Sequence, residues 1–571
     1  MTNVWAVTRT TFIQSLRSRV GLAAMVLLAV LLLAAPMMVN NGASPLADRI
    51  RTFLSYSVGL TGVILAVITI FLSTTFFCAD VQRKQIFLLA TKPLSRWQYV
   101  LGRWLGVILL DALLLALAGT GIYAGAQYLR SQPHLSPTDR RAVETEVFTA
   151  RRKITPDYSN DDTMVNQAVE DRVEQLRQSN ALEEVIQNFL PQAGGNREQA
   201  GELVIQELGK QARERLQSIP PGRPGRPYIF RNVRVTGMTR TATGTVTNIH
   251  TEYALLRMEI PEWLAAELIP GRPVDVQSAL SRVLEVGDNW LVVQAMKDSF
   301  LSQGLSTLKP DDRVEITLEP MMELSYKLGT GATVPSGGTV TSQWVIGPEN
   351  PERSLRVFDP IEQEDVPYRT VSVITSGRCV DETGAVVAQL FNPNMTREGG
   401  RTITSISIAP GDISLLYAVG SFGPNLASAM GTLLAQMMFI AAVGVLTATF
   451  LSFPVAVLTS GALVLFTLMM GYVTDSVKYV SDDGGNLLIH GVVWLLALVL
   501  PNLSAMSPTE AIASGVEVAT FTEPWRLMAM NPSLATFWQA LTSLQAPLAT
   551  LIVLAIGCVI FTKRELARVQ V

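Results

Sequence analysis

Apolar residues gather in seven runs at the two ends of the chain, and no other feature limits its possible folds so strongly. The runs are Val20 to Val39, Leu54 to Phe77, Leu101 to Ala126, Ala427 to Phe450, Pro454 to Val473, Leu487 to Leu500 and Leu548 to Phe561. Most approach the ~20 residues that a helix needs to cross a bilayer. Between the third and fourth, a stretch from about Gln127 to Asn425 is too charged for lipid and long enough to fold by itself. With 48% hydrophobic and 16% charged residues over 571 positions, the composition is that of an integral membrane protein with a polar insertion.

The first run exceeds the about 7–15 apolar residues of a secretory signal, so cleavage is not expected. Ahead of it, in residues 1–19, Val4, Trp5, Phe12, Ile13 and Leu16 recur near helical spacing while Arg9, Arg17 and Arg19 supply charge. That pattern suits an amphipathic helix lying on a membrane surface. Basic residues then set the orientation. Arg83, Lys84, Lys92, Arg96 and Arg103 follow the second run, and Lys563, Arg564 and Arg568 follow the last, against only Arg49 and Arg51 between Asn40 and Phe53. The positive-inside bias places the amino end, the basic loop and the tail in the cytoplasm, and residues 127–425 outside. Seven crossings would leave the tail outside, so one run must turn back. Leu487 to Leu500, which ends at Pro501-Asn502 and sits behind Asp482-Asp483, is the candidate. The expected fold is an α-helical polytopic membrane protein with six transmembrane helices, a re-entrant segment at 487–501 and an inserted α+β extracytoplasmic domain.

The insertion divides by pattern. Residues 127–218 read as helical and charged, with Val165, Val169, Val173 and Leu176 at three- and four-residue steps, as in a coiled coil or helical hairpin. The breaker-rich IPPGRPGRP, Ile219 to Pro227, closes that part. Residues 228–425 hold Val-, Ile- and Thr-rich stretches such as RTVSVITSG and RTITSISIAPGDISLLY, which read as the strands of a β-sandwich. Gly411 to Met430 leads from these strands into the fourth run with little slack, so mechanical transmission is expected there. Three cysteines and three histidines are scattered without metal-ligand spacing, so no metal site is expected. No basic block with aromatic interleaving points to nucleic acid.

The segment DVQRKQIFLLATKPLSRWQYVLGRWLG, Asp80 to Gly106, resembles the loop between the second and third spans of type-two ABC exporter permeases, including the membrane subunit for nitrous-oxide-reductase maturation. The family's acidic residue, Pro-hydrophobic-Ser-Arg turn and Gly-Lys or Gly-Arg step are matched here by Asp80, Pro93-Leu94-Ser95-Arg96 and Gly102-Arg103; Asp80 stands where glutamate is more usual. LVLPNLSAM, Leu498 to Met506, resembles the family's re-entrant outer segment, and FTKREL, Phe561 to Leu566, its usual ending. The resemblance covers residues 20–126 and 426–571 and leaves out the insertion.

It implies a homodimeric or heterodimeric permease of a bacterial inner membrane. Such a permease contacts membrane lipids and docks an ATP-binding-cassette ATPase subunit, which carries the ATP and Mg. The chain has no G-x-x-x-x-G-K-[ST] phosphate loop, so no ATP hydrolysis and no cofactor of its own are expected. Residues 78–100 become the coupling loop, with Asp80, Arg83, Lys84, Lys92, Pro93 and Arg96 as the ATPase-coupling residues. The bland alternative is that these charges only fix orientation and bind anionic headgroups.

Asp111 is the carboxylate well inside an apolar run, about 15 Å of helix past the run's basic end. It reads as a pathway residue or as a hydrogen-bonded packing residue. Gly119, Gly121 and Gly125 read as close-packing positions, and the methionines of the later spans as packing residues rather than copper ligands. Two other functional classes stay open. One is a membrane-anchored scaffold or sensor whose 127–425 domain binds a periplasmic partner; the other is a membrane-embedded transferase, which the sparse polar content of the spans disfavours.

Overall fold

The computed structural model describes residues 2–39, 44–82, 95–133, 139, 142–158, 161–235, 239–250, 255–268, 270–277, 279–295, 308–318, 320–331, 338–349, 359–394, 404–481, 500–518 and 545–563. The chain divides into two compact units. One joins Met1–Ala150 to Gly420–Val571, and the other is Arg151–Val419.

The first unit opens with helices α1 (Thr2–Arg17) and α2 (Arg19–Val39). Their axes differ by 59° across Ser18. A side chain at Gly21 would collide with the Ser15 carbonyl, and the Ser18 hydroxyl accepts from the Gly21 N–H at 2.9 Å, so the bend is written in a Ser/Gly pair. Helix α3 (Leu46–Gln82) follows. Asp139 receives its first free N–H groups, from Leu46 at 2.8 Å and Ala47 at 3.0 Å, as a capping carboxylate does. Helix α4 (Arg96–Arg130) starts where Gln98 Oε1 accepts from the Ser95 N–H. It runs four residues past the expected boundary at 126.

The second unit begins within strand β1 (Thr149–Ile154), inside the stretch expected to be helical. Helices α5 (Asp161–Gln178), α6 (Leu182–Phe189) and α7 (Arg197–Gln217) come next. Val165, Val169 and Val173 of α5 pack on Leu208, Ala212 and Leu216 of α7, so the expected valine stripe is the seam of a helical hairpin. Strands β2 (Ser218–Ile219) and β3 (Pro224–Phe230) lead into β4 (Arg240–His250) and β5 (Leu255–Glu259). After helix α8 (Glu262–Glu267) come β6 (Pro273–Val276), β7 (Ala279–Val286), β8 (Trp290–Ala295) and β9 (Arg313–Leu318).

Strands β4 to β9 close into a barrel in the order β4-β5-β8-β7-β6-β9. Val246, Met258, Val283, Leu291, Val293 and Ile316 fill it together with Leu264 of α8, so it is a packed core rather than a channel.

The remaining strands are β10 (Met321–Lys327), β11 (Gly329–Thr330), β12 (Val340–Gly347), β13 (Asp359–Asp365), β14 (Thr370–Ser376), β15 (Val386–Phe391), β16 (Ile406–Ser407) and β17 (Ile413–Ser421). They form two four-stranded sheets, β1-β17-β10-β14 and β13-β12-β15-β3, and a short sheet β11-β16-β2. Both four-stranded sheets contribute to one core around Trp344, Tyr326, Tyr228, Phe230 and Tyr417. The single β-sandwich expected over 228–425 is therefore two bodies, a closed barrel and a pair of facing sheets.

Strand β17 ends at Ser421 and helix α9 (Phe422–Ala448) begins at the next residue, inside the stretch expected to be β-rich. Helices α10 (Phe453–Ser481), α11 (Thr509–Ala513) and α12 (Gln545–Lys563) complete the first unit. Five described helices are long and apolar enough to cross a membrane: Leu46–Asp80, Arg96–Arg130, Phe422–Ala448, Phe453–Val473 and Ala546–Lys563. Five of the six expected spans are matched by these helices, and the bent pair α1–α2 passes the same test only when its two helices, the first of which is expected on the membrane surface, are taken together as one span. Val455, Leu458, Leu465 and Tyr472 of α10 are exposed, the apolar outer face a lipid-contacting helix needs. The expected re-entrant run lies outside the described residues except for Leu500 and Pro501.

Candidate functional site

Three groups of polar residues in the helical unit, each built on α3, α4 or α9, join elements distant in sequence. The first joins the end of α3 to the start of α4. Asp80 and Arg103 are both only 8% exposed and form an ion pair. The same carboxylate oxygen accepts from the Tyr99 hydroxyl, one helical turn before Arg103. Arg103 also donates to Tyr99 Oη at 3.2 Å, to Thr11 Oγ1 at 3.2 Å and to Gln14 Oε1 at 2.8 Å. One guanidinium therefore ties three helices together, α1, α3 and α4.

Glycine lets them approach. A Cβ at Gly102 would stand 2.7 Å from Val7 Cβ, and one at Gly106 would stand 2.4 Å from Thr11 Cβ. The tip of α12 joins the group, because Arg96 is exposed but donates to the Thr562 carbonyl at 2.7 Å. Phe77, Tyr99 and Phe561 complete it as a ring cluster with centroids 5.1 to 6.1 Å apart. Of the expected coupling residues, Asp80 and Arg96 are brought together here, whereas Arg83, Lys84, Lys92 and Pro93 lie outside the described residues. Thr11, Gln14 and Tyr99 were not singled out from sequence. Arg103 was read only as a basic loop residue and as part of Gly102-Arg103; its burial is what the sequence did not signal.

The second group centres on Asp111, which is fully buried. Its Oδ2 accepts from Thr69 Oγ1 at 3.0 Å, and Thr69 in turn lies 3.7 Å from Met437 Sδ. Its Oδ1 has no hydrogen-bond partner among the described residues. Gly119 and Gly125 of the same helix meet Met430 and Phe53 closely enough that a side chain would clash or crowd, as close-packing positions do. Among the described residues no group of three or more His, Cys, Asp or Glu side chains could hold a metal ion.

No family model, curated protein or solved structure matches this chain. What the site does is thus a question for its own geometry.

The third group holds residues 500–518, which pass against α3, α9 and α10 without forming a long helix. Gln436, about halfway along α9, donates to the carbonyls of Met506 at 3.1 Å and Leu503 at 3.4 Å. Asn425, near the start of α9, donates to the Val516 carbonyl at 2.9 Å and accepts from the Val518 N–H at 2.8 Å. The Leu503 N–H reaches the Thr467 carbonyl of α10 at 3.4 Å. Buried irregular backbone needs partners for its polar groups, and these two amides supply them to the carbonyls of Leu503, Met506 and Val516 and the N–H of Val518. Neither was singled out from sequence, although Gln436 interrupts an apolar run.

Proposed function

We propose that this chain is the membrane-spanning permease subunit of an ATP-binding-cassette transporter, exporting a substrate or carrying ATP-driven motion to residues 127–425 on the far side of the membrane. The observation that carries the reading is the Asp80–Arg103 pair. Residues 83–94 join α3 to α4 in the sequence, and these two helices are fastened to each other by Asp80 and Arg103. A force applied to 83–94 by an ATPase would move α3, α4 and α1 as one body instead of being lost in a loop.

In this reading Arg83, Lys84, Lys92 and Pro93 meet the ATPase. Arg96 borders them, and Asp80 acts behind them as a positioning residue. A dimer with a second permease chain, and location in a bacterial inner membrane, belong to the same proposal. The second reading, a membrane-anchored scaffold, draws on the inserted unit, whose two β bodies have cores of their own and could serve as a platform for a periplasmic partner. ATP hydrolysis separates the two. Co-expressed with an ATPase encoded beside it and reconstituted in lipid, the permease changes that ATPase's turnover, whereas a scaffold leaves it as it is for the ATPase alone.

A further inference from the structure

The barrel of the inserted unit carries a group of arginines for which the transport reading has no use. Arg240 opens β4, Arg272 stands just before β6, and Arg282 lies on β7 opposite Pro273. The ladder of β4, β9 and β6 brings the first two to the same end of the barrel, because Arg240 pairs with Leu318 and Asp275 with Thr317. All three guanidinium groups meet one short segment, residues 267–271. Arg240 forms an ion pair with the Glu267 carboxylate, Arg272 donates to the Glu267 carbonyl at 2.8 Å, and Arg282 donates to the Gly271 carbonyl at 3.2 Å.

On this segment, then, three cations meet one carboxylate and two carbonyl dipoles. Arg272 makes no ion pair among the described residues, and its Nε is buried without a hydrogen-bond partner among them. Asp275 of β6 is paired with Arg378 at 2.5 Å. Burial pushes the Arg272 guanidinium below its ordinary pKa; Glu267 opposes this and the neighbouring Arg240 adds to it. A half-buried cation without a counter-ion is costly, so this end of the barrel is short of negative charge. It also has room and access. Gly271 is in the left-handed region at φ +86°, and among the described residues nothing stands within 4 Å of where its Cβ would be. The Arg240–Glu267 pair is exposed, so it is worth little and yields to a stronger anion.

We propose that Arg240, Arg272 and Arg282 form a binding site for a phosphate group at this end of the barrel, the phosphate taking the place of the Glu267 carboxylate on Arg240 and reaching Arg272 as well. Guanidinium groups suit such a ligand, since their paired N–H donors match two oxygens of one phosphate. A phosphate monoester, with close to two negative charges, also offsets more of the excess than a carboxylate does. Two sources carry this chemistry, a soluble phosphate monoester and an anionic lipid headgroup. The site does not depend on the transport reading.

The test is equilibrium dialysis of the full chain in neutral detergent against radiolabelled inorganic phosphate, with chloride holding the ionic strength constant. Wild type binds phosphate saturably, and Arg272→Gln and Arg240→Gln bind it about tenfold more weakly, as the loss of one charged hydrogen bond implies. Glu267→Gln binds it more tightly, because the competing carboxylate is gone. Arg240→Gln changes an exposed residue and serves if Arg272→Gln does not fold. Arg257→Gln, which removes an exposed arginine stacked 4.6 Å from the Trp290 ring, leaves binding unchanged. Displacement of the bound label then identifies the source: phosphatidic acid acting at lower concentration than glycerol 3-phosphate assigns the site to lipid, and the reverse to a soluble monoester. Absence of saturable binding by wild type, equal binding by the Arg240 and Arg272 variants, an equal loss with Arg257→Gln, or no gain with Glu267→Gln would each overturn the proposal.

Discussion

Arg103 lies in the second turn of α4 and pairs with Asp80 at the end of α3, and its remaining donors reach Thr11 and Gln14 of α1. Both partners are buried, so neither charge can fall back on water when the other is removed. Arg103→Ala is expected to destabilise the helical unit by ~3–5 kcal/mol, the usual cost of orphaning a buried charge, while replacing both partners by neutral residues costs less than the sum of the single changes. A double-mutant cycle on thermal unfolding in detergent measures this.

The seam between α1 and α4 depends on glycine. Gly106→Leu would drive a side chain into Thr11, so α1 is expected to leave α4 and fray, and trypsin to cut faster after the already exposed Arg17. Gly431, with open space around its Cβ position, provides the control: Gly431→Ala leaves the digestion pattern unchanged.

In the inserted unit, Asp365 Oδ2 accepts from Tyr326 Oη at 3.0 Å and from the Ser342 hydroxyl. Burial raises its pKa above the ordinary 3.8, and the two hydroxyl bonds only partly oppose this. The native state therefore holds the proton more tightly than the unfolded chain. The stabilisation this gives is fully present below the unfolded value and is lost as the pH rises through the folded one. Thermal unfolding of wild type and Asp365→Asn across that range is expected to show wild type losing ground to the variant as pH rises. A constant difference would contradict this.

Trp344 is fully buried between the facing sheets, 4.8 Å from the Tyr326 ring, whereas Trp263 beside the barrel is 46% exposed. Trp344→Ala is expected to cost ~3–5 kcal/mol. Trp263→Ala should stay within about 0.5 kcal/mol. Chemical denaturation followed by circular dichroism distinguishes them.

What could be read from the sequence follows the range of the forces involved. Apolar runs near membrane length and the valine stripe of α5 are local patterns, and the corresponding helices are present wherever the runs fall among the described residues, which leaves out residues 487–499. Strand β1 was hidden inside a charged stretch because its partner, β17, lies on the far side of the insertion. Barrel closure was hidden for the same reason, since it depends on β4 meeting β9, as in Ala242 opposite Ile316. Asp80 stood out as an acid at a span end, but nothing local marks Arg103 as its partner. Gln436 carries a weak signal, a single amide in an apolar run, and Asn425 carries none; the meaning of both depends on a segment far along the chain.

The central claim is that residues 83–94 receive an ATPase. Affinity purification of the tagged chain from cells co-expressing an ATP-binding-cassette ATPase encoded beside it, next to the charge-reversed Arg83→Glu/Lys84→Glu variant, tests this proposal most directly. The expected result is ATPase retained by wild type and lost by the variant, with both permeases equally folded. Failure of wild type to retain the ATPase, or equal retention by the variant, would contradict the claim.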